Sequence, residues 1–250
     1  MNNLELQPLL CYNLNMNIFT SLEIFIISAL IIVSLKAIPG IFAIFHHYAS
    51  GKYSARKVSD LSIFFILGAE TLPAITFVIL NLILSAFAFV NLDFTSSIFL
   101  TLFAGLLFSL ALVFYFCYFQ KGKGTKLFIT RQTAQAFDFN AQKVKNRSDA
   151  FTLGFIAGLP ELIFTLPLYL MVLISISKNF IFPSVCAPIL TLFVIITVTP
   201  LFALYAYFRN GNNLANFSRL RTRNKSFFRL FIPSLYILLG ALLIIQEALL

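Results

Sequence analysis

Charged side chains are scarce in this sequence. Only 11% of its 250 residues are Asp, Glu, Lys or Arg, whereas 60% are hydrophobic, and the mean hydropathy is positive. Soluble domains contain about 25% charged residues on average. The composition therefore excludes an ordinary soluble domain. It predicts an all-α polytopic membrane protein, because backbone groups surrounded by lipid must bond within helices.

The motifs of several kinds of chemistry are also missing. The cysteines form no CxxC pair, which argues against a dithiol-relay enzyme. His46 and His47 lack Cys or carboxylate neighbours at ligand spacing, so we expect them to pack at the membrane interface. The sequence has no Gly-rich phosphate loop and no nucleophile elbow. We therefore expect a protein that is not an enzyme, with no catalytic residue, no metal site and no cofactor.

The sequence contains several long apolar runs. A helix needs roughly 20 apolar residues to cross a bilayer. The runs predict one integral membrane domain over residues 1–250, with six transmembrane helices. We place the spans near 18–45, 61–90, 94–119, 150–177, 184–208 and 230–247.

The basic residues indicate the orientation of these spans. Sixteen of the eighteen Lys and Arg residues lie in three connecting segments, 46–60, 120–149 and 209–229. Basic residues near span ends favour the cytoplasmic side. We therefore expect three basic cytoplasmic loops, an outside tail over residues 1–17 and both termini outside, with a bacterial inner (plasma) membrane as the host. Topology also explains the net charge of +9, so we expect membrane lipids as partners and no nucleic acid. The sequence leaves open whether the protein forms a homo-oligomer.

A faint internal repeat is visible at an offset of 89 residues. It aligns Ser59 and Asp60 with Ser148 and Asp149, at the predicted starts of the second and fourth spans. The offset predicts repeated helical hairpins that share one orientation, as in parallel transporter repeats. The two serines suit helix N-caps, and the two aspartates suit the first helical turn.

Three ionisable residues, Lys36, Glu70 and Glu161, lie well inside the predicted spans. Each costs at least ~2.5–3.5 kcal/mol at a helix centre, so each needs a partner or a wet cavity. Their distances from the span ends predict one common depth. Together with Thr199 they form a predicted substrate-binding or proton-binding site. In the alternative interpretation, Lys36 and Glu70 are a structural ion pair, and Glu161 is protonated or bonded to a threonine such as Thr197 or Thr199.

Helix-breaking residues lie at the same depth. Each proline removes one backbone hydrogen bond, and broken helices near the midplane are typical of transporter sites. We interpret these residues as hinges of helices that are interrupted beside the site. They are Pro39, Gly40, Pro73, Gly158, Pro160 and Pro200.

Two stretches resemble the lysine-exporter superfamily of small six-helix transporters. Pro39 and Gly40 in the first span are followed by Gly51 in a basic stretch. Near the carboxyl end, a basic segment that starts at Arg223 precedes the final span, which contains a Leu-Gly step ending at Gly240. The resemblance implies export of amino acids or related small cations.

The leading hypothesis is a secondary transporter or exporter of a small polar or cationic solute, with proton coupling as one option. One lysine against two carboxyl groups leaves an acidic group able to carry a proton or a cation. The alternative is a non-catalytic membrane scaffold or accessory subunit that binds a partner or anionic lipid through its basic loops. Its basis is segment 120–149, where Lys and Arg are interleaved with apolar residues, namely Leu127, Phe128, Ile129, Phe137 and Phe139.

Overall fold

The structure, a computed structural model, describes residues 20–36, 41–89, 97–118, 131–179, 183–210 and 214–248. This part of the chain contains helices and no strand. In chain order the helices are α1 (20–36), α2 (Ile41–Lys52), α3 (Ala55–Phe89), α4 (Ser97–Val113, followed by a π turn over Phe114–Tyr118), α5 (Arg131–Lys143), α6 (Arg147–Asn179), α7 (Pro183–Arg209), α8 (Leu214–Arg223) and α9 (Lys225–Ala248).

Among the described residues, six helical stretches are long and apolar enough to cross a membrane, which confirms the predicted all-α polytopic architecture. They are Thr20–Lys52, Ala55–Leu84, Ile98–Phe116, Arg147–Ile176, Pro188–Arg209 and Ser226–Ile245. The first stretch includes both α1 and α2. Pro39 and Gly40, which we predicted as hinges, lie outside the described residues.

The connections between spans differ from the predicted loops. α2 continues to Lys52 and α3 begins at Ala55, so the predicted loop 46–60 is reduced to a two-residue turn. The predicted loop 120–149 contains α5, and the predicted loop 209–229 contains α8. Several helices extend beyond the predicted spans, because a helix does not have to stop where the apolar run stops. Polar and basic residues can continue it into water.

Buried apolar side chains form two clusters that are stacked along the helices. The basic-side cluster joins α2, α5, the first parts of α3 and α6, and the last part of α7. The far-side cluster joins α1, α4, α9, the later parts of α3 and α6, and the first part of α7. Because α3, α6 and α7 pass through both clusters, the clusters lie at two depths of the bundle.

The helix starts at the basic end correct three of the four capping expectations from the repeat. Ser59 lies inside α3 and Ser148 lies inside α6, so neither serine is an N-cap. Asp60 lies beyond the first turn of α3, because this helix begins earlier than predicted. Its carboxylate instead pairs with Arg147, whose Nε lies 2.6 Å from Asp60 Oδ2. Asp149 does lie in the first turn of α6 and accepts hydrogen bonds from the backbone N–H groups of Lys145 and Asn146. Only the second aspartate therefore caps a helix.

The helices α3 and α6 approach each other closely at glycine residues. As the second and fourth spans, they run in the same direction. A Cβ added at Gly68 would overlap the backbone carbonyl of Phe151, and one added at Gly154 would overlap the backbone carbonyl of Phe65. Small residues allow membrane helices to pack backbone to backbone in this way. Phe65 and Gly154 are also 89 residues apart, so the two copies of the repeat pack side by side.

The expectation of broken helices is wrong for the described residues. α3, α6 and α7 run as continuous helices through Pro73, Pro160 and Pro200. Pro73 supplies no N–H to the carbonyl of Ala69, and a Cβ on Gly158 would lie 3.0 Å from that carbonyl oxygen. Gly158 is therefore part of the α3–α6 contact. Unwinding the helix would expose further backbone groups to lipid, so losing one bond is the smaller cost.

We predict that Gly154→Ala destabilises the protein by about 1–3 kcal/mol, as overpacking of a tight contact does. The added methyl group must push α6 away from the Phe65 carbonyl of α3. Circular dichroism of the purified protein in detergent should show a lower thermal midpoint. Gly105→Ala on α4 is the matched control, since a Cβ there meets nothing within 4 Å. Equal midpoints for the two variants would contradict the prediction.

Candidate functional site

Lys36, Glu70 and Glu161 lie between the two apolar clusters, and we call these three residues the polar layer. Lys36 follows the last α1 residue of the far-side cluster, and Glu70 follows the last α3 residue packed against the basic-side cluster. On α6, Glu161 lies between Ala157 of the basic side and Leu162 of the far side. The three side chains therefore share one level, as their distances from the span ends predict.

Lys36 and Glu70 form an ion pair within this layer. The distance from Lys36 Nζ to Glu70 Oε2 is 2.5 Å, and the exposed fractions of the two side chains are 1% and 14%. The pair joins α1 to α3, which are consecutive and therefore antiparallel spans. A charge at this depth is costly when it is alone, and a partner at hydrogen-bond distance offsets part of that cost. The ion pair that the alternative interpretation predicts is thus present in the molecule.

Glu161 adds a second carboxyl group to the layer. It lies within electrostatic range of both Lys36 and Glu70. One oxygen of each carboxyl, Oε1 of Glu70 and Oε1 of Glu161, is buried without a hydrogen-bond partner among the described residues. Buried polar atoms are seldom left without a partner in folded proteins. One ammonium therefore lies near two carboxyl groups, and two buried acceptor oxygens have no hydrogen-bond partner among the described residues.

Two tyrosines that border the polar layer are not among the site residues predicted from the sequence. Tyr169 and Tyr236 are both buried, and both hydroxyl groups lie within electrostatic range of Glu161. The Tyr236 hydroxyl donates to the carbonyl of Phe164 at 3.0 Å. Tyr169 follows Glu161 by two helical turns, so its position on the same face of α6 is visible in the sequence. For Tyr236, which belongs to another helix, the sequence offers no such signal.

The threonines that we expected beside Glu161 bond to their own helix. The Thr197 hydroxyl donates to the carbonyl of Val194 at 2.9 Å, and the Thr199 hydroxyl donates to the carbonyl of Ile195 at 2.8 Å. Such local bonds are common for threonine in helices, because the i−3 and i−4 carbonyls are within reach. No contact among the described residues joins Thr199 to Glu161, so Thr199 lies outside the polar layer.

Thr199 instead borders a cavity of about 490 Å³ between α1, α7, α8 and α9. Val33, Thr199 and Pro200 line one end of this cavity, and Val33 lies one turn before Lys36 on α1. Tyr207 and Phe217 line it closer to the basic segment. The cavity therefore leads from the basic end of the bundle to the depth of the polar layer.

Metal ligands do not cluster in the part of the chain that the structure describes. It contains no group of three or more His, Cys, Asp or Glu side chains that could hold an ion. His46 stacks on the ring of Phe208, with 5.0 Å between the ring centroids. This contact gives His46 the packing role that its neighbours in the sequence predict.

The fold and the layer define the class of this protein as a multi-pass, all-α integral membrane protein with ionisable groups at mid-depth. Comparison with known protein families, with curated proteins and with solved structures finds no match. The resemblance to the lysine-exporter superfamily therefore stays a prediction.

We predict that Lys36→Met and Glu70→Met each destabilise the protein by about 3–5 kcal/mol, because each leaves a buried charge without its partner. The double variant should be more stable than either single variant, since it removes both charges together. Thermal unfolding of all four proteins in detergent gives the coupling free energy, which we expect to exceed about 1 kcal/mol. Additive effects of the two substitutions would show that the ion pair does not stabilise the fold.

Proposed function

We propose that the protein is a secondary transporter or exporter of a small polar or cationic solute. The observation that supports this most is the second carboxyl group: Glu161 lies within electrostatic range of the Lys36–Glu70 ion pair. A structural ion pair needs only one carboxyl group, so Glu161 exceeds the requirement of the fold. In this proposal Glu161 binds either a proton or the cationic solute. Because Glu161 binds only one of the two at a time, movement of the solute is coupled to movement of protons.

In the proposed pathway the solute reaches the layer through the cavity beside α7. Most of the lining is apolar, and the polar groups it offers include Thr199 and Tyr207. A small cation with a short apolar body suits such a lining, since its charge is then satisfied only at the carboxyl groups. The resemblance to the lysine exporters implies an amino acid or a related amine. The absence of a nucleotide motif means that a primary pump would need another subunit.

Aromatic side chains provide a candidate gate on each side of the layer. On the basic side, Phe45 stacks on Phe65 with 4.7 Å between ring centroids. On the far side, Phe77 stacks on Phe193 at 6.1 Å and meets Tyr169 edge-on at 5.8 Å. Alternating access requires that one gate opens while the other stays closed. In our proposal the two apolar clusters perform these two roles.

The proline positions are the proposed hinges of this movement. Pro73, Pro160 and Pro200 lie within continuous helices near the depth of the layer, where each helix lacks one backbone bond. Bending is easiest at such points, because sharp kinks in helices occur mostly at proline. The glycine contact at Gly158 keeps α3 and α6 together while their ends tilt.

We place the protein in a bacterial inner membrane, with both termini outside and the three basic segments in the cytoplasm. The support is the segregation of Lys and Arg, because basic residues near span ends are retained on the cytoplasmic side. Membrane lipids are the expected partners, and the basic charge needs no nucleic acid.

The alternative, a non-catalytic scaffold, has one observation in its favour. Arg219, Leu220 and Arg223 of α8 are exposed together, as a surface-binding helix would require. The segment that first suggested this function supports it less. Phe137 is buried in the basic-side cluster, which leaves Phe139 exposed beneath the Lys143 ammonium at 3.6 Å.

We predict that Glu161→Gln abolishes solute-driven proton movement. The purified protein is reconstituted into liposomes that contain a pH-sensitive dye, and L-lysine or L-arginine is added outside. The native protein should change the internal pH, and the variant should not, because an amide does not ionise and so cannot carry a proton across. Helicity and thermal midpoint should stay close to native values, since glutamine has nearly the shape of glutamate.

Two controls make this experiment specific. Glu23→Gln removes an exposed carboxyl group from the far end of α1 and should leave the flux unchanged. Neutralising Lys143 and Lys145 together should change lipid or partner association only. Equal flux in the native protein and in the Glu161→Gln variant would contradict the transport proposal.

The orientation is tested with reporter fusions in bacteria. Alkaline phosphatase is active only outside the inner membrane, so we expect activity when it follows Leu250 and none when it follows Asn146. Green fluorescent protein should give the opposite result at the same two positions. An active phosphatase after Asn146 would place the basic segments outside and contradict the proposed topology.

A further inference from the structure

A surface groove lies between α4 and α9, on the half of these helices closer to the basic segments. Its volume is about 780 Å³, within the roughly 300–1,000 Å³ common for ligand pockets. Both helices are membrane spans, so this groove opens toward lipid. Its walls include Phe108, Ala111, Leu112, Tyr115, Phe231 and Ile237. An occupant must therefore be apolar along its length and must enter from the bilayer.

One cation borders the basic end of this groove. The guanidinium of Arg229 lies over the ring of Tyr115, with Cζ 4.9 Å from the ring centroid. Arg229 Nε is buried and has no hydrogen-bond partner in the described part of the chain. A buried N–H of this kind requires an acceptor, and a charged acceptor satisfies it best.

The surrounding sequence offers no such acceptor. α4 and its π turn contain no charged residue, and residues 209–246 contain no Asp or Glu. That same stretch contains six Lys and Arg residues, which lie at the end of α7, in α8 and at the start of α9. The charge at the end of the groove is therefore strongly positive, and its complement is an anion at the membrane surface.

We propose that the groove binds one anionic phospholipid. The acyl chain lies between α4 and α9 against Phe108, Leu112 and Ile237, and the phosphate accepts a hydrogen bond from Arg229. A phospholipid joins an apolar chain to an anion at the depth where span and basic segment meet, which matches both parts of the site. An acidic peptide lacks the apolar part. A second copy of this chain presents no acidic residue from α4 or from 209–246. The site is separate from the polar layer and does not depend on transport.

The test uses the full-length protein in mixed micelles with either phosphatidylglycerol or phosphatidylcholine. We expect the thermal midpoint to rise with phosphatidylglycerol and to change little with phosphatidylcholine. Arg229→Gln should weaken the apparent affinity for phosphatidylglycerol by about tenfold or more, because a charge-assisted hydrogen bond is lost. Arg223→Gln, an exposed arginine at the end of α8, should leave this affinity close to native.

A second pair of variants tests the groove itself. Leu112→Trp fills it from an exposed position and should reduce the response to phosphatidylglycerol. Leu102→Trp adds the same bulk elsewhere on α4 and should not.

Three results would overturn the proposal. The first is an unchanged response in both Arg229→Gln and Leu112→Trp, and the second is a response that depends on Arg229 but not on Leu112. The third is a protein dimer that Leu112→Trp dissociates and phosphatidylglycerol does not affect, which would assign the groove to a second copy.

Discussion

A lysine inside a hydrocarbon layer must have a partner, and the position of Lys36 constrains the rest of this bundle. Its ammonium is buried and bonds to Glu70 at 2.5 Å, so α1 and α3 must meet at this depth. The glycine contact then joins α3 to α6, because backbones can touch only where side chains are absent. Glu161 follows one turn after Gly158, so the same contact brings a second carboxyl group within electrostatic range of the ammonium. Two local constraints thus assemble three charges from three helices.

The layered arrangement explains how a charged level is tolerated. Apolar clusters lie above and below it, which leaves the three charges to one another. A purely structural role does not account for the whole layer, since two carboxyl oxygens have no partner among the described residues. A fold optimised only for stability would lose little by replacing Glu161 with an apolar residue. The excess carboxyl group is therefore the main reason to interpret the layer as a site.

Much of this architecture could be predicted from the sequence, because membrane insertion reduces folding to simple rules. Span number follows from apolar length, and the common depth of Lys36, Glu70 and Glu161 follows from counting residues at 1.5 Å rise. The continuity of the helices could not be predicted from prolines alone, since it depends on which freed carbonyl finds a neighbour. The four-residue spacing of Gly154 and Gly158 is a packing signal that can be recognised in the sequence.

Side-chain direction was less predictable than depth. Thr199 shares the approximate level of the layer but bonds to its own helix and lines a cavity. Tyr236 borders Glu161 from a helix whose rotation only tertiary packing determines. Depth is a property of one chain segment, whereas direction is decided jointly by neighbouring helices.

The central claim is that Glu161 exchanges protons with water at the middle of the bundle. Infrared difference spectroscopy of the protein in lipid, recorded between high and low pH, tests it most directly. We expect a carboxyl band that forms at the expense of a carboxylate band, shifts in D₂O and is absent from Glu161→Gln. Identical difference spectra for the native protein and the variant would contradict the claim. The layer would then be a structural ion pair beside a carboxyl group that does not change its protonation.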